Sequence, residues 1–197
     1  MLVGNMQKML KIWLEALSIN IYGRMIQVEN NIAYLVQQIN EIWEESPGKK
    51  AFQKLVFLMI EKGIPLRYDY GLHFYGPYSA TLDAEANFLN ADGVLCFSYE
   101  GNAHKIRINK NDEMTTIEPE DNLIAYIGTI TDVIEHFKGK SPSELELLST
   151  AIYAYNHLES KARESVVNGV LKIKGNKYKQ DDINDSLNEF AYFGITI

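Results

Sequence analysis

The sequence predicts an α+β protein that is mainly helical and has one β-hairpin near its middle. Apolar residues recur at helical spacing through several long segments, among them residues 26–45 and 121–138. By contrast, "VLCFSY" (94–99) and "HKIRIN" (104–109) have the composition of strands, and the turn sequence "EGNA" separates them. These observations predict a set of helices packed around a small amount of sheet.

Size and composition agree with a globular protein. The chain has 197 residues, enough for one domain with a hydrophobic core, and 46% of them are hydrophobic. The net charge of −7 opposes general attraction to nucleic acid or to an anionic membrane surface. The single cysteine, Cys96, cannot form an intramolecular disulfide, as is typical of a reducing compartment. We therefore expect a cytoplasmic protein that does not bind membranes.

Residues 1–24 are interpreted as an amphipathic N-terminal extension. One stripe of apolar side chains recurs at helical spacing in this segment: Met6, Met9, Leu10, Trp13, Leu14 and Leu17. Lys8, Lys11 and Glu15 interrupt the apolar stretch, so the segment cannot span a bilayer. We expect a helix that packs on the rest of the chain or on a second copy, which leaves a homo-oligomer open. A membrane-surface helix is less favoured, because basic residues are few.

Residues 25–110 are predicted to form a degenerate winged-helix-like core. Helices are expected over 26–45 and over 50–63, the second strongly apolar and ended by Gly63. A short strand is expected near residues 66–70, and a third helix begins at the N-cap Ser79. The hairpin follows, so the order is helix, helix, strand, helix, hairpin, which is that of a winged helix.

The rest of the chain is predicted to be a helical C-terminal half over residues 121–197. A polar connector, "KNDEMTTIEPED", precedes it. After the helix over 121–138, Ser141 and Glu144 have the spacing of a capping box, with Pro142 at the first helical position. Two further short helices are expected over 160–172 and 180–193.

No set of residues predicts catalysis, a metal site or a cofactor. The four histidines (His73, His104, His136 and His157) show no pair at metal-ligand spacing, and Cys96 adds no thiolate cluster. "GKS" (139–141) resembles the end of a phosphate-binding loop, but Ile134 stands where that loop needs glycine. The sequence therefore favours a protein that is not an enzyme.

The stretch "HFYGPYS" (73–79) crowds aromatic residues onto a turn, and the helix after it carries acids and no Lys or Arg. Tyrosine is common at interfaces because its ring buries area while its hydroxyl stays hydrated. The pattern predicts a protein-binding surface, although rings that simply fill the core would give the same pattern. The candidate contact residues are Tyr70, Phe74, Tyr75, Tyr78, Asp83 and Glu85.

The alternative is a nucleic-acid-binding regulator that uses the basic hairpin. Lys105, Arg107 and Lys110 lie on or after its second strand, with Lys105 and Arg107 on one face. A second basic cluster lies near the end of the chain: Lys172, Lys174, Lys177 and Lys179. However, the helix over 79–92 has the position of a recognition helix and lacks the Arg or Lys that a major-groove reader needs. Nucleic acid is therefore the less favoured partner.

Two motifs resemble those of the YwgA-like proteins and, more distantly, of the SocA-like (Panacea) antitoxin domain. The families' helix of the type "KLQKLLY" is matched here by Lys50, Gln53, Lys54, Leu55 and Phe57. Their aromatic "YGP" step is matched by Tyr75, Gly76 and Pro77. The similarity extends over about residues 27–195, and Tyr78 and Ser79 replace the small aliphatic pair of the antitoxin pattern.

The resemblance implies a single YwgA/SocA-like domain over residues 25–197. It further implies a cytoplasmic microbial or phage protein, mainly helical, without known catalysis and with an antitoxin-like role. The partner would then be a protein toxin. The resemblance carries over no catalytic residue.

Overall fold

A computed structural model describes residues 26–101, 103–109 and 115–197, and helices account for most of them. The elements in chain order are β1 (Ile26–Glu29), α1 (Asn31–Trp43), α2 (Lys49–Glu61), β2 (Gly71–His73), β3 (Gly76–Tyr78), α3 (Ala80–Ala91), β4 (Leu95–Glu100), β5 (Ala103–Ile108), β6 (Thr115–Glu118), α4 (Asp121–Ile124), α5 (Ile127–His136), α6 (Pro142–His157), α7 (Arg163–Lys174) and α8 (Gln180–Ser186). Two 3-10 helices, Gly175–Lys177 and Leu187–Phe193, flank α8. The protein is therefore α+β and mainly helical, as predicted. The N-terminal extension predicted over residues 1–24 lies outside the described residues.

The described strands form three two-stranded sheets. β1 pairs with β6 in parallel, whereas β2–β3 and β4–β5 are antiparallel hairpins. The β4–β5 pairing runs from Leu95 opposite Ile108 to Glu100 opposite Ala103, which confirms the predicted hairpin. An isolated bridge joins Gly48 to Lys105, so the segment between α1 and α2 lies along the outer side of β5.

The first helix is shorter than the predicted span of residues 26–45. Residues 26–29 form β1, and α1 begins only after Asn30, whose side chain accepts a hydrogen bond from the backbone amide of Ala33 (3.0 Å). The partner strand β6 lies in the segment that was predicted to be a polar connector. A pairing between segments so far apart in the chain leaves no local pattern that would reveal it.

The strand predicted near residues 66–70 is wrong. The chain has no regular structure from Ile64 to Tyr70, and β2 begins at Gly71. Ile64 and Leu66 are buried in the core. The alternation of apolar residues here therefore reflects an irregular segment packed on the core, and it does not reflect pairing with another strand.

The core is centred on α2. Every residue from Ala51 to Met59 is buried, and the helix packs against α5, α6, β3 and β5. One continuous cluster of buried apolar residues includes side chains from both halves of the chain, such as Leu55, Leu148 and Phe190. The α2–α6 contact positions the site described below.

The C-terminal half follows the predicted capping signals. The backbone amide of Ser141 donates to Glu144 Oε2 (2.8 Å), and the amide of Glu144 donates to Ser141 Oγ (3.2 Å). This capping box confirms the start of α6. Among the helices of residues 26–101, 103–109 and 115–197, none is both long enough and apolar enough to cross a membrane.

Candidate functional site

The aromatic turn is the tip of the β2–β3 hairpin, which we call the aromatic hairpin (residues 71–78). His73 pairs with Gly76, so Phe74 and Tyr75 form the connection between the strands. Gly76 has φ of 85°, a left-handed conformation that glycine adopts without strain. The Phe74 side chain is 78% exposed, and Leu72 beside it is 45% exposed. The hairpin therefore presents apolar groups to solvent.

Gln53 of α2 binds the end of the aromatic hairpin with both ends of its amide. Its Nε2 donates to the carbonyl oxygen of Ser79 (3.0 Å), and its Oε1 accepts from the backbone amide of Ser79 (3.0 Å). Ser79 is fully buried, and its Oγ accepts from the amide of Leu82 as the N-cap of α3. Gln53 therefore fixes the backbone where the hairpin enters the helix.

Lys54, the next residue of α2, binds the hairpin two residues before Ser79. Its Nζ donates to the carbonyl oxygen of Pro77 (2.5 Å), although only 3% of the residue is exposed. Burial lowers the pKa of Lys54 to about 8. A Cβ added at Gly76 would lie 2.8 Å from Thr150 Oγ1 of α6, so the hairpin is in close contact with this helix.

A buried carboxylate on α6 holds the other side of the aromatic hairpin. Glu146 Oε1 accepts from Lys174 Nζ (2.8 Å) and from Lys177 Nζ (2.6 Å). Lys174 Nζ also donates to the carbonyl oxygen of Phe74 (3.0 Å). Thus the exposed tip of the hairpin is hydrogen-bonded to a lysine that is itself paired with a buried acid.

The three charged groups of this cluster shift one another's pKa values. Burial alone would raise the pKa of Glu146, but the hydrogen bonds from Lys174 and Lys177 outweigh it, so the pKa is lowered. Burial lowers the pKa of Lys174 against the opposing effect of Glu146. For Lys177, burial is outweighed by Glu146, and its pKa is raised. At neutral pH the acid is therefore ionised and the cluster remains charge-paired.

The two sequence motifs quoted above contact each other. The lysine and glutamine side chains of the α2 motif reach residues 75–79, and Lys50 Nζ lies over the Tyr75 ring, 3.4 Å from its centroid. The motifs are therefore complementary parts of one arrangement, in which a helix supplies donors to the carbonyl groups of an aromatic turn.

The structure separates the four candidate aromatic residues. Tyr70 is half-buried. Its ring packs edge-on against Phe57 (5.2 Å between centroids), and its hydroxyl donates to the carbonyl oxygen of Gln53 (2.9 Å). Tyr75 is 39% exposed and lies beside Phe74. Tyr78 is half-buried, and burial and the nearby Asp83 raise its pKa.

The two candidate acids on α3 are both engaged. Asp83 forms an ion pair with Lys49 (2.9 Å) and accepts from Asn87 (2.9 Å). Glu85 is exposed and accepts from the Tyr68 hydroxyl (2.8 Å). These contacts link α3 to the start of α2 and to the segment before β2.

The basic residues that the nucleic-acid-binding alternative would use are only partly free to contact phosphates. Lys105 Nζ donates to the carbonyl oxygen of Ser46 (2.8 Å) and lies 3.9 Å from Glu45, whereas Arg107 is exposed. Ile106, on the opposite face of β5, is buried. Lys110 lies outside the described residues.

The second basic cluster, near the end of the chain, is also partly engaged, because Lys174 and Lys177 are bound to Glu146.

Sequence reasoning missed the buried polar cluster of Gln53, Lys54, Glu146 and Thr150. A signal was present, because Lys54 and Glu146 each interrupt an apolar run, "AFQKLVFLM" and "LELLSTA". A charged residue inside such a run is buried only where it has a partner. In the part of the chain that the structure describes, no group of three or more His, Cys, Asp or Glu side chains could hold a metal ion.

No protein-family model matches the chain, and no curated protein matches it. The similarity to the YwgA-like and SocA-like proteins thus remains a prediction from the two motifs.

Proposed function

We propose that the protein is a non-enzymatic interaction module whose aromatic hairpin binds a protein partner. The single observation that carries the proposal is the Phe74 ring, which is 78% exposed on a backbone held by buried side chains. Lys174, Lys54 and Gln53 bind the carbonyl groups of Phe74, Pro77 and Ser79. An antitoxin-like role, with a toxin as the partner, agrees with the sequence resemblance.

The fixed backbone of this hairpin is the physical reason to assign it a role in binding a protein partner. Ordering a loop on association costs free energy, and a loop already fixed in the free protein avoids that cost. A large exposed ring on a fixed backbone has the properties of an interface anchor, which gains free energy by entering an apolar pocket. Leu72 and Tyr75 extend the apolar area on either side of Phe74.

We further propose that residues 25–110 form a winged-helix-like core that does not read DNA. The Gly48–Lys105 bridge, which sets a short extended segment between α1 and α2 against the β4–β5 hairpin, supports this topology. α3 would then stand in the recognition position, and it carries Asp83 and Glu85. These carboxylates would approach phosphates in a groove, which favours a protein partner over nucleic acid.

Affinity capture from an extract of the source cells tests the proposal. The purified protein is immobilised beside two folded variants, Phe74→Ala on the hairpin and the control Phe88→Ala on α3. Phe88 is 69% exposed, so it matches Phe74 in ring size and exposure. We expect a protein that is retained by the wild type and by Phe88→Ala and that is lost by Phe74→Ala.

The antitoxin-like role has its own readout. The captured protein, expressed alone, is expected to arrest growth, and co-expression with the wild type is expected to restore growth whereas Phe74→Ala does not. A captured protein that both variants retain equally would contradict the assignment of the hairpin as the binding surface. A captured protein without effect on growth would contradict the antitoxin-like role alone.

A further inference from the structure

A groove of about 300 Å³ lies beside the aromatic hairpin, between the start of α2 and β5. We call it the lysine groove. Its charged and titratable lining consists of Lys49, Lys50, Lys54, His73, Asp83 and His104. Tyr75 and Tyr78 of the hairpin complete the wall, so the groove is continuous with the surface proposed above to bind a partner.

The three lysines of the groove differ in what already binds them. Lys49 is paired with Asp83 (2.9 Å) and donates to Asn87 (3.1 Å). Lys54 is bound to the Pro77 carbonyl from inside the protein. Lys50 is exposed, lies over the Tyr75 ring at 3.4 Å and forms no ion pair with any residue of the described ranges. Its ammonium group is the one placed to receive an anion.

The net charge of the groove is positive, whereas that of the whole protein is negative. The chain carries a net charge of −7, yet three lysines face one acid in this groove. The start of α2 adds the positive end of a helix dipole, with no acidic residue in its first turn. A concave surface with a positive local charge concentrates anionic ligands.

The surroundings favour a single carboxylate over a polyanion. Asp83 lies inside the groove, where it is paired with Lys49 (2.9 Å). A chain of phosphates would be repelled by Asp83, whereas one carboxylate would interact mainly with Lys50. An ammonium group held over an aromatic ring keeps its charge available on the other side.

We propose that the lysine groove binds the carboxylate of an acidic side chain on the protein partner, with Lys50 as its direct contact. The inference rests on the proposed function, because the partner must first be seated on the aromatic hairpin. It adds a requirement on the partner, which must carry an acidic residue next to the apolar pocket that binds Phe74. Its test is arranged so that the two proposals fail separately.

The first arm uses sodium acetate as the probe and needs no partner. Backbone amide NMR shifts of the full chain are followed during titration at constant ionic strength. We expect saturable shifts at Lys50, His73 and His104 that are lost in Lys50→Ala and kept in Lys172→Ala, an exposed lysine on α7. Absence of saturable shifts would overturn the proposal. Tighter binding of inorganic phosphate than of acetate would overturn the assignment to a carboxylate.

The second arm uses the partner captured through the hairpin. We expect Lys50→Glu to weaken its binding by at least about tenfold in 50 mM salt and by less in 300 mM salt, because the contact is electrostatic. Lys172→Glu, with the same change of charge, should leave the affinity unchanged. If Phe74→Ala loses the partner and Lys50→Glu does not, the groove proposal is overturned while the hairpin proposal stands. If Lys50→Glu loses the partner and Phe74→Ala does not, the hairpin proposal fails and the groove contact stands. If neither variant loses the partner, both proposals fail, even where acetate binds.

Discussion

Replacing Gly76 by alanine tests how closely the aromatic hairpin is held against α6. The added Cβ would lie 2.8 Å from Thr150 Oγ1, a distance at which one of the two groups must move. Thr150 has little freedom, because its Oγ1 donates to the carbonyl oxygen of Glu146 (2.7 Å). Gly93 is the matched control: its φ is 80° against 85° at Gly76, but no atom lies within 4 Å of its Cβ position.

The magnitude follows from two separable costs. A left-handed conformation costs an alanine about 1 to 2 kcal/mol, and this cost applies to both Gly76→Ala and Gly93→Ala. Overpacking of a buried contact adds about 1 to 3 kcal/mol, and it applies only at Gly76. We therefore expect Gly76→Ala to lower the free energy of unfolding by about 2 to 5 kcal/mol.

Urea unfolding, monitored by circular dichroism, measures the loss in free energy of unfolding for Gly76→Ala and for Gly93→Ala. A double-mutant cycle with Thr150→Ala isolates the close contact, because removal of Oγ1 should return Gly76→Ala to the cost of the control. Equal losses for Gly76→Ala and Gly93→Ala, with no coupling to Thr150, would refute the close packing of the hairpin on α6.

The remaining predictions concern the buried charges. Glu146→Gln is expected to lower the free energy of unfolding by about 3 to 5 kcal/mol, because it leaves a buried lysine without its counter-ion; the exposed control Glu135→Gln should change it by less than about 0.5 kcal/mol. For Lys54, the pKa of about 8 in the folded protein lies below its ordinary value of 10.5. The unfolded chain therefore holds more protons between these values, so the stability of the wild type should rise relative to Lys54→Met by about 2 kcal/mol from about pH 8 to about pH 10. Parallel pH profiles in urea unfolding would contradict a buried, charged Lys54, and equal losses for the two glutamate variants would contradict the buried ion pair.

Features that depend on a few neighbouring residues were predictable from the sequence. The N-cap at Ser79 and the capping box at Ser141 are formed by side chains that bind amides three residues away, so their spacing alone reveals them. The β4–β5 hairpin likewise follows from two strand-like runs and a short turn. The alternation along β5 also separates the exposed Arg107 from the buried Ile106.

Features that depend on distant segments could not be predicted. β1 exists only because Ile26–Glu29 meets Thr115–Glu118, and neither segment has a strong strand pattern by itself. The packing of Tyr70 could not be predicted for the same reason, since its partners Phe57 and Gln53 lie on α2. In the candidate site, composition left open whether the aromatic turn is exposed or fills the core. The contacts beneath it join distant segments: Lys54 of α2 binds the Pro77 carbonyl, and Lys174 of α7 is paired with Glu146 of α6.

The most direct test of the central claim is the affinity of the purified partner for Phe74→Ala and for Phe88→Ala, measured by isothermal titration calorimetry. If the fixed aromatic hairpin is the binding surface, Phe74→Ala should weaken binding by at least about 30-fold, the loss of about 2 kcal/mol that defines an interface anchor. Phe88→Ala should remain within about twofold of the wild type. Equal affinities for the two variants would contradict the claim.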